Sequence, residues 1–186
     1  LYAIPIGLNY YRHYNSIIKS LSYKEPTNLD KKLLFACFNP DIESRKKLFT
    51  LLNYNLKNIC DMVDNIPPLN TYYKESYADG QIRIQVTSPH FYNNYKKYKF
   101  TLSPKGWGED THRTWEALYM GCIPIVLSSV IDELYLDLPV LVINDWTEIT
   151  EDFLNEHYAI IEEKKLKNKY NMNKLNMSYW LDIINQ

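Results

Sequence analysis

One stretch of this chain, residues 98–127, has a pattern that few backbone arrangements can satisfy: YKFTLSPKGWGEDTHRTWEALYMGCIPIVL. Apolar and β-branched residues predict a strand over 98–103, and Pro104 ends it because proline cannot donate to a sheet ladder. Residues 123–127 form a second apolar run of strand length. The segment between the two runs is helical in pattern, so the stretch predicts a βαβ unit.

The connection between these strands combines a loop and a helix. Residues 104–109 include two glycines, which let the backbone turn where a Cβ would collide. Asp110 or Thr111 suits the N-cap of the following helix, and Gly121 suits a left-handed C-cap. The apolar residues of this helix recur at i, i+3, i+4 and i+7, so they are predicted to face the sheet. They are Trp115, Leu118, Tyr119 and Cys122.

A polar cluster occupies the first turns of the same helix. His112 and Glu116 share a second face, and Arg113 lies beside them. Free backbone N–H groups and the helix dipole favour an anion at this end of a helix. Arg113 is a forked donor suited to phosphate, and Lys105 in the preceding loop is a mobile point charge. Glu116 can accept from ribose hydroxyls and His112 can donate to a phosphate or a sugar, which together suits a sugar-bearing nucleoside diphosphate.

The same residues fit a simpler interpretation equally well. Arg113 and Glu116 are spaced for an i,i+3 ion pair, and His112 would then be a surface residue without a ligand. Periodicity alone does not decide between the two interpretations. The loop around Gly106 is neither a P-loop nor a GxGxxG motif, because its two glycines lack the required neighbours.

The rest of the chain alternates short apolar runs with helical patterns. The predicted strands cover 33–38, 59–63, 81–87 and 139–143, the predicted helices 41–53, 90–97, 150–161 and 164–186, and the longest predicted loop 65–80. This alternation predicts an α/β fold, a Rossmann-like and mainly parallel sheet with helices on both faces. Ligands of such sheets bind beyond the carboxyl ends of the strands, where the loop after Ser103 would emerge.

The helix predicted over 41–53 carries three consecutive basic residues. Arg45, Lys46 and Lys47 are predicted to point largely outward, because Leu48 and Leu52 occupy the inward positions. The Lys46-Lys47 pair is most simply a solvated helix face rather than a ligand site.

Composition excludes several classes of function. A chain of 186 residues that is 46% hydrophobic is long enough for one domain with its own core. A net charge of -1 argues against a general nucleic-acid-binding surface. Cys37, Cys60 and Cys122 lack the spacing of a zinc site or a disulfide framework and are predicted to be buried thiols.

Neither a membrane span nor a signal peptide is visible in the sequence as given. No apolar run approaches membrane-spanning length, and Pro5 and Gly7 interrupt the first residues. The chain therefore looks soluble as given. It begins at Leu1 rather than methionine, so its localisation stays unknown.

Residues 98–153 resemble the C-terminal half of exostosin-like glycosyltransferases. The family pattern joins an S-P-x-G loop to R-x-x-E-A and then G-C-I-P-V, and this chain has SPKG, RTWEA and GCIPI in that order. The run DTHRTWEAL also resembles a D-x-H-R-T-W-E-A-L group of viral, algal and bacterial proteins of that superfamily. Such enzymes have two Rossmann-like domains in the GT-B arrangement, and the C-terminal domain holds the nucleotide-sugar donor, usually without a bound metal.

The resemblance implies roles for individual residues. It places Arg113 on the diphosphate and Glu116 on the ribose, which makes these two the candidate catalytic residues. The implied donor-binding residues are Ser103, Lys105, Gly106, His112, Arg113 and Glu116. No catalytic base or nucleophile is assigned, and no metal ligand is implied. Trp146 also matches the family, and core packing is the favoured interpretation for its side chain over sugar stacking.

The function implied by the resemblance is transfer of a sugar from a nucleoside diphosphate to a glycan or protein acceptor, with no cofactor beyond that donor substrate. Residues 31–163 would be the donor-binding domain, 1–30 an interdomain or edge segment, and 164–186 a helix packed on the domain. An N-terminal acceptor domain would lie outside this chain. Two other classes stay open: a non-catalytic nucleotide-binding or glycan-recognition module, and a structural interaction domain.

Overall fold

The structure, a computed structural model, describes residues 4–8, 10–22, 30–62, 74–76, 82–84 and 89–185. The strands in these residues are β1 (Lys32–Ala36), β2 (Cys60–Met62), β3 (Lys74–Ser76), β4 (Ile82–Ile84), β5 (Tyr98–Leu102), β6 (Ile123–Leu127) and β7 (Leu141–Ile143). The helices are α1 (Tyr10–Ser22), α2 (Glu43–Tyr54), α3 (Pro89–Lys96), α4 (His112–Tyr119), α5 (Glu151–Leu166) and α6 (Met177–Ile184). Short 3₁₀-helices cover Asp132–Tyr135, Trp146–Glu148 and Met172–Leu175.

Five strands form one parallel sheet in the order β2-β1-β5-β6-β7. Alternate residues of β1 enter different cores: Leu34 packs with α2 and α5, whereas Phe35 packs with α1, α3 and α4. A third cluster joins α4, β6 and α6 around Trp115 and Trp180. Helices therefore cover both faces of the sheet, and the predicted Rossmann-like α/β fold is confirmed.

The strand order reverses between β1 and β5. From β1 the chain passes through α2 to β2 on one side, and from β5 it passes through α4 to β6 on the other. The two crossover helices pack on opposite faces of the sheet, since Leu48 of α2 belongs to one core and Ala117 of α4 to the other. The loops after β1 and β5 consequently diverge and leave a crevice at the carboxyl edge, where α/β sheets bind their ligands.

Helix α4 begins and ends where the sequence predicts. Its last turn closes with a hydrogen bond from the Gly121 amide to the Leu118 carbonyl, 3.1 Å, and one from the Cys122 amide to the Ala117 carbonyl, 3.0 Å. Gly121 has a φ of +72°, which favours glycine over any residue with a Cβ. Trp115 and Leu118 are buried as predicted, packed against Val126 of β6.

Several predictions made outside this unit need correction. The predicted loop over 65–80 contains β3, which pairs antiparallel with β4, while its other residues lie outside those described. Helix α5 extends beyond residue 161 to Leu166. The tail is not one helix but a 3₁₀-helix followed by α6. The domain division at 30 and 163 stays a prediction.

The cysteines match the expectation of buried thiols, because Cys37, Cys60 and Cys122 are all buried and none forms a disulfide with a described residue. Burial raises the pKa of the Cys122 thiol to about 12, so it stays protonated near neutral pH. Within the described residues, no helix combines the length and the apolar character needed to cross a membrane.

Candidate functional site

The candidate site lies where the loop after β5 meets the start of α4. Ser103 at the end of β5 is buried, and its hydroxyl lies 2.9 Å from the Thr111 hydroxyl and 2.8 Å from the Thr114 hydroxyl. Thr111 is the N-cap by backbone conformation, yet its side chain makes no capping hydrogen bond. At the positive end of the helix, the amides of His112 and Arg113 therefore make no hydrogen bond to any described residue.

Asp110 organises the backbone around this helix start. Its carboxylate accepts from the Trp115 indole at 2.9 and 3.0 Å and from the Thr111 amide at 2.8 Å. The Tyr135 hydroxyl and the Ile6 amide complete the set, at 3.4 and 2.8 Å. Five donor contacts on one carboxylate make Asp110 a structural residue.

His112 connects the site to the first part of the chain. Its Nδ1 lies 2.7 Å from the Gly7 carbonyl, and because a carbonyl only accepts, Nδ1 carries the proton. Together with the bond from the Ile6 amide to Asp110, this contact fixes residues 4–8 against the start of α4. His112 is thus held by the protein through one ring nitrogen, and only Nε2 would be left to meet a ligand.

Arg113 is partly exposed as a residue, but its Nε is buried and has no hydrogen-bond partner among the described residues. No ion pair within 4.0 Å joins Arg113 to Glu116, although both residues are described. The simpler interpretation of these two residues, a surface i,i+3 ion pair, is therefore wrong. A buried guanidinium nitrogen without a partner is uncommon and calls for an explanation such as a ligand.

Glu116 is one turn further along α4 and is only 8% exposed. The Tyr92 hydroxyl donates to its Oε1 at 3.4 Å, a long contact. Burial raises the pKa of Glu116, and the nearby positive charge of Arg113 offsets that effect only in part. Glu116 is consequently a carboxylate that the fold destabilises in its charged form, as is common at functional sites.

The loop over 104–109 carries Lys105, Gly106 and an aromatic residue. Lys105 forms an ion pair with Glu109 at 2.8 Å, and both side chains are substantially exposed, so a ligand can displace the pair at little cost. Trp107 is 94% exposed. Neither Lys105 nor Trp107 is committed to the core, whereas Trp146 packs against it, in agreement with the prediction.

Arg45 is the residue that the sequence analysis placed wrongly. It was predicted to point outward with Lys46 and Lys47, which are indeed exposed, but its guanidinium donates to the Lys105 carbonyl at 2.9 Å. Burial, and to a smaller extent the like charge of Arg113, lower the pKa of Arg45. The sequence held no signal for this contact beyond Arg45 following a strand whose loop opens at the same sheet edge.

The structure thus gathers His112, Arg113 and Glu116 on the first turns of α4, with Lys105 and Gly106 in the adjoining loop. Ser103 lies behind them as part of a hydroxyl network rather than on the surface. Among the described residues, no group of three or more His, Cys, Asp or Glu side chains is placed to hold a metal ion.

Comparison with known proteins adds no further assignment. No protein-family model matches the chain, and no curated protein is found to be related to it. The fold defines the class, an α/β Rossmann-like domain, and the candidate site lies at the strand-order reversal of its sheet. The resemblance of residues 98–153 to exostosin-like enzymes rests on the sequence itself and stays a prediction.

The contacts of Asp110 predict that its removal lowers the free energy of unfolding more than removal of the neighbouring Glu109 does. Asp110→Ala leaves the buried Trp115 indole without an acceptor and removes one of the two bonds that hold residues 4–8, so we expect the free energy of unfolding to fall by about 1–3 kcal/mol. Glu109→Ala removes only an exposed ion pair and should change it by less than about 0.5 kcal/mol. Urea denaturation of both variants tests this, and equal stabilities would show that Asp110 is not the organising residue.

The raised pKa of Glu116 predicts a pH-dependent effect of Glu116→Gln. The folded state holds the Glu116 proton to higher pH than the unfolded state does. Ionisation of Glu116 therefore costs wild type no stability below the unfolded-state pKa of about 4.3, and its full cost appears above the folded-state pKa. The stability of Glu116→Gln relative to wild type should therefore rise as pH rises through that window. Urea denaturation at several pH values measures it, with the exposed Glu109→Gln as control; a constant difference for Glu116→Gln would contradict the account.

Proposed function

We propose that this chain is the donor-binding domain of an exostosin-like glycosyltransferase, which transfers a sugar from a nucleoside diphosphate to a glycan or protein acceptor. The observation that carries the proposal is Arg113, whose buried Nε lacks a partner among the described residues beside an uncapped helix start. The helix start itself lies at the strand-order reversal, which is the usual ligand position in this fold class. The sequence resemblance supplies the identity of the ligand.

In this proposal the diphosphate binds at the start of α4. The amides of His112 and Arg113 and the dipole of the helix would meet the negative charge, while the Arg113 guanidinium provides a planar fork for phosphate oxygens. Lys105 would leave Glu109 and add a second positive charge. When the bond to the sugar breaks, the diphosphate carries more charge than in the donor, so these groups would stabilise the leaving group electrostatically.

Glu116 would orient the ribose. It is too deep in the helix to meet a phosphate bound at the first amides, and its long contact with Tyr92 leaves acceptor capacity on the carboxylate. Burial and Glu116 raise the pKa of the Tyr92 hydroxyl, so that group remains a neutral donor and holds the carboxylate in place. Two ribose hydroxyls that donate to the ionised Glu116 carboxylate would offset part of the free-energy cost of burying it.

The acceptor and the catalytic base are proposed to belong to an N-terminal domain that is not part of this sequence. Apart from the hairpin of β3 and β4, the described strands form one parallel sheet, which suits one half of a GT-B enzyme. A non-catalytic module of the same fold would bind the nucleotide equally well and transfer nothing. Sugar transfer by the longer parent protein, lost in Glu116→Ala without unfolding, would exclude that rival.

Nucleotide binding tests the proposal directly. Calorimetric titration of the chain with UDP and GDP should give binding of at least one, and Arg113→Ala should weaken it by about 10- to 100-fold, because a charge-assisted hydrogen bond contributes about 1.5–3 kcal/mol. Lys47→Ala, a charge removal on an exposed face of α2, should leave the affinity within about twofold of wild type. Folded wild-type protein that binds neither nucleotide would overturn the proposal, as would full affinity in Arg113→Ala; either result would favour a structural interaction domain.

A further inference from the structure

Arg45 connects two parts of the chain that the sheet would otherwise keep apart. It lies in the first turn of α2, whose crossover covers the opposite face of the sheet from α4. Its guanidinium nevertheless crosses to the loop after β5. There Nε donates to the Lys105 carbonyl at 2.9 Å and Nη2 donates to the Pro104 carbonyl at 3.4 Å.

The remaining nitrogen of the same group, Nη1, faces the loop after β1. Nη1 donates to the Asp41 carboxylate at 3.2 Å and approaches the Asn39 carbonyl at 3.5 Å. The side chains of Arg45 and Asp41 are only 12% and 19% exposed, so this ion pair is largely protected from solvent. One guanidinium therefore holds both walls of the crevice, and each of its three nitrogens is already used.

The adjoining glycine fits this arrangement. A Cβ built on Gly106 would lie 3.0 Å from the Arg45 Nη2 atom, closer than side chains normally pack. The Gly106 amide donates to the Gly108 carbonyl at 3.2 Å, so the loop also closes on itself at this residue. Gly106 thus allows the close approach of Arg45, and its amide reports whether the loop keeps its shape.

We propose that Arg45 is a positioning residue, which fixes the loop over 104–108 in the shape that donor binding requires. The proposal rests on the proposed function in one respect, since it assumes that this loop meets the donor. We assign Arg45 to positioning rather than to phosphate binding, because four of its five N–H donors already have protein acceptors. It acts through the carbonyls of Pro104 and Lys105, which accept hydrogen bonds from the guanidinium. These bonds fix the backbone that carries the Lys105 side chain.

Hydrogen exchange in the ligand-free protein tests, without any nucleotide, whether Arg45 fixes the loop over 104–108, a role called bracing below. We expect the Gly106 amide to exchange about tenfold faster or more in Arg45→Ala than in wild type, because the loop loses charge-assisted hydrogen bonds. Lys46→Ala on the same helix should leave this exchange unchanged. UDP or GDP affinity, whichever wild type binds, should fall by a similar factor in Arg45→Ala.

Arg45→Lys separates bracing from charge and provides a second variant if Arg45→Ala folds poorly. Its ammonium keeps the positive charge but cannot reach acceptors on both walls of the crevice, so bracing predicts that it behaves like Arg45→Ala. Wild-type exchange and affinity in Arg45→Lys would overturn the proposal, and so would fast Gly106 exchange combined with wild-type affinity. A wild type that binds no nucleotide would overturn the proposed function. Unchanged Gly106 exchange in Arg45→Ala would refute the role of Arg45 whether or not a nucleotide binds.

Discussion

The parallel pairing of β1 with β5 sets the geometry on which the candidate site depends. Leu34 lies opposite Phe100 in this pair, and the buried Thr101 hydroxyl donates to the Phe35 carbonyl at 3.1 Å. Because the chain leaves these neighbouring strands toward opposite faces, the loops that follow them separate above the sheet edge. The crevice between the loops is a consequence of connectivity and needs no special side chain to open it.

The charges around this crevice fall into two groups. Asp41 and Asp110 use their carboxylates to hold loops and a helix start, and removing either would lower the stability of the fold. Arg113, whose Nε is buried, forms no ion pair with the buried Glu116, and burial disfavours the charged form of Glu116. The buried charge of Glu116 reduces stability in the free protein, since a buried charge needs a partner. A ligand with phosphate and hydroxyl groups would supply partners to both Arg113 and Glu116.

Local pattern was enough to predict the βαβ unit and the helix boundaries around it. Gly121 illustrates why: a left-handed helix end favours glycine whatever packs nearby, so the residue type alone marks the position. The strand predicted over 81–87 contains β4, but its partner β3 was assigned to a loop, because a three-residue strand carries too little periodicity to stand out.

Contacts between distant parts of the chain were not predictable from local pattern. Arg45 occupies an outward position by helical periodicity, and its role depends on a loop about 60 residues later in the chain. The contact between Ile6 and Asp110 spans 104 residues, and no spacing rule reaches that far. The polar cluster on α4 was predicted because its members are neighbours on one helix, whereas the residues that hold it in place come from elsewhere.

The central claim is that a nucleoside diphosphate binds at the start of α4, and backbone amide chemical shifts measure this most directly. In a titration of isotopically labelled protein with UDP or GDP, the account predicts that the largest shifts fall on the amides of residues 105–108 and 111–116. The cavity between β7 and α5, lined by Val142, His157 and Ile160, should show none. Shifts confined to that cavity, or no shifts at saturating nucleotide, would contradict the account.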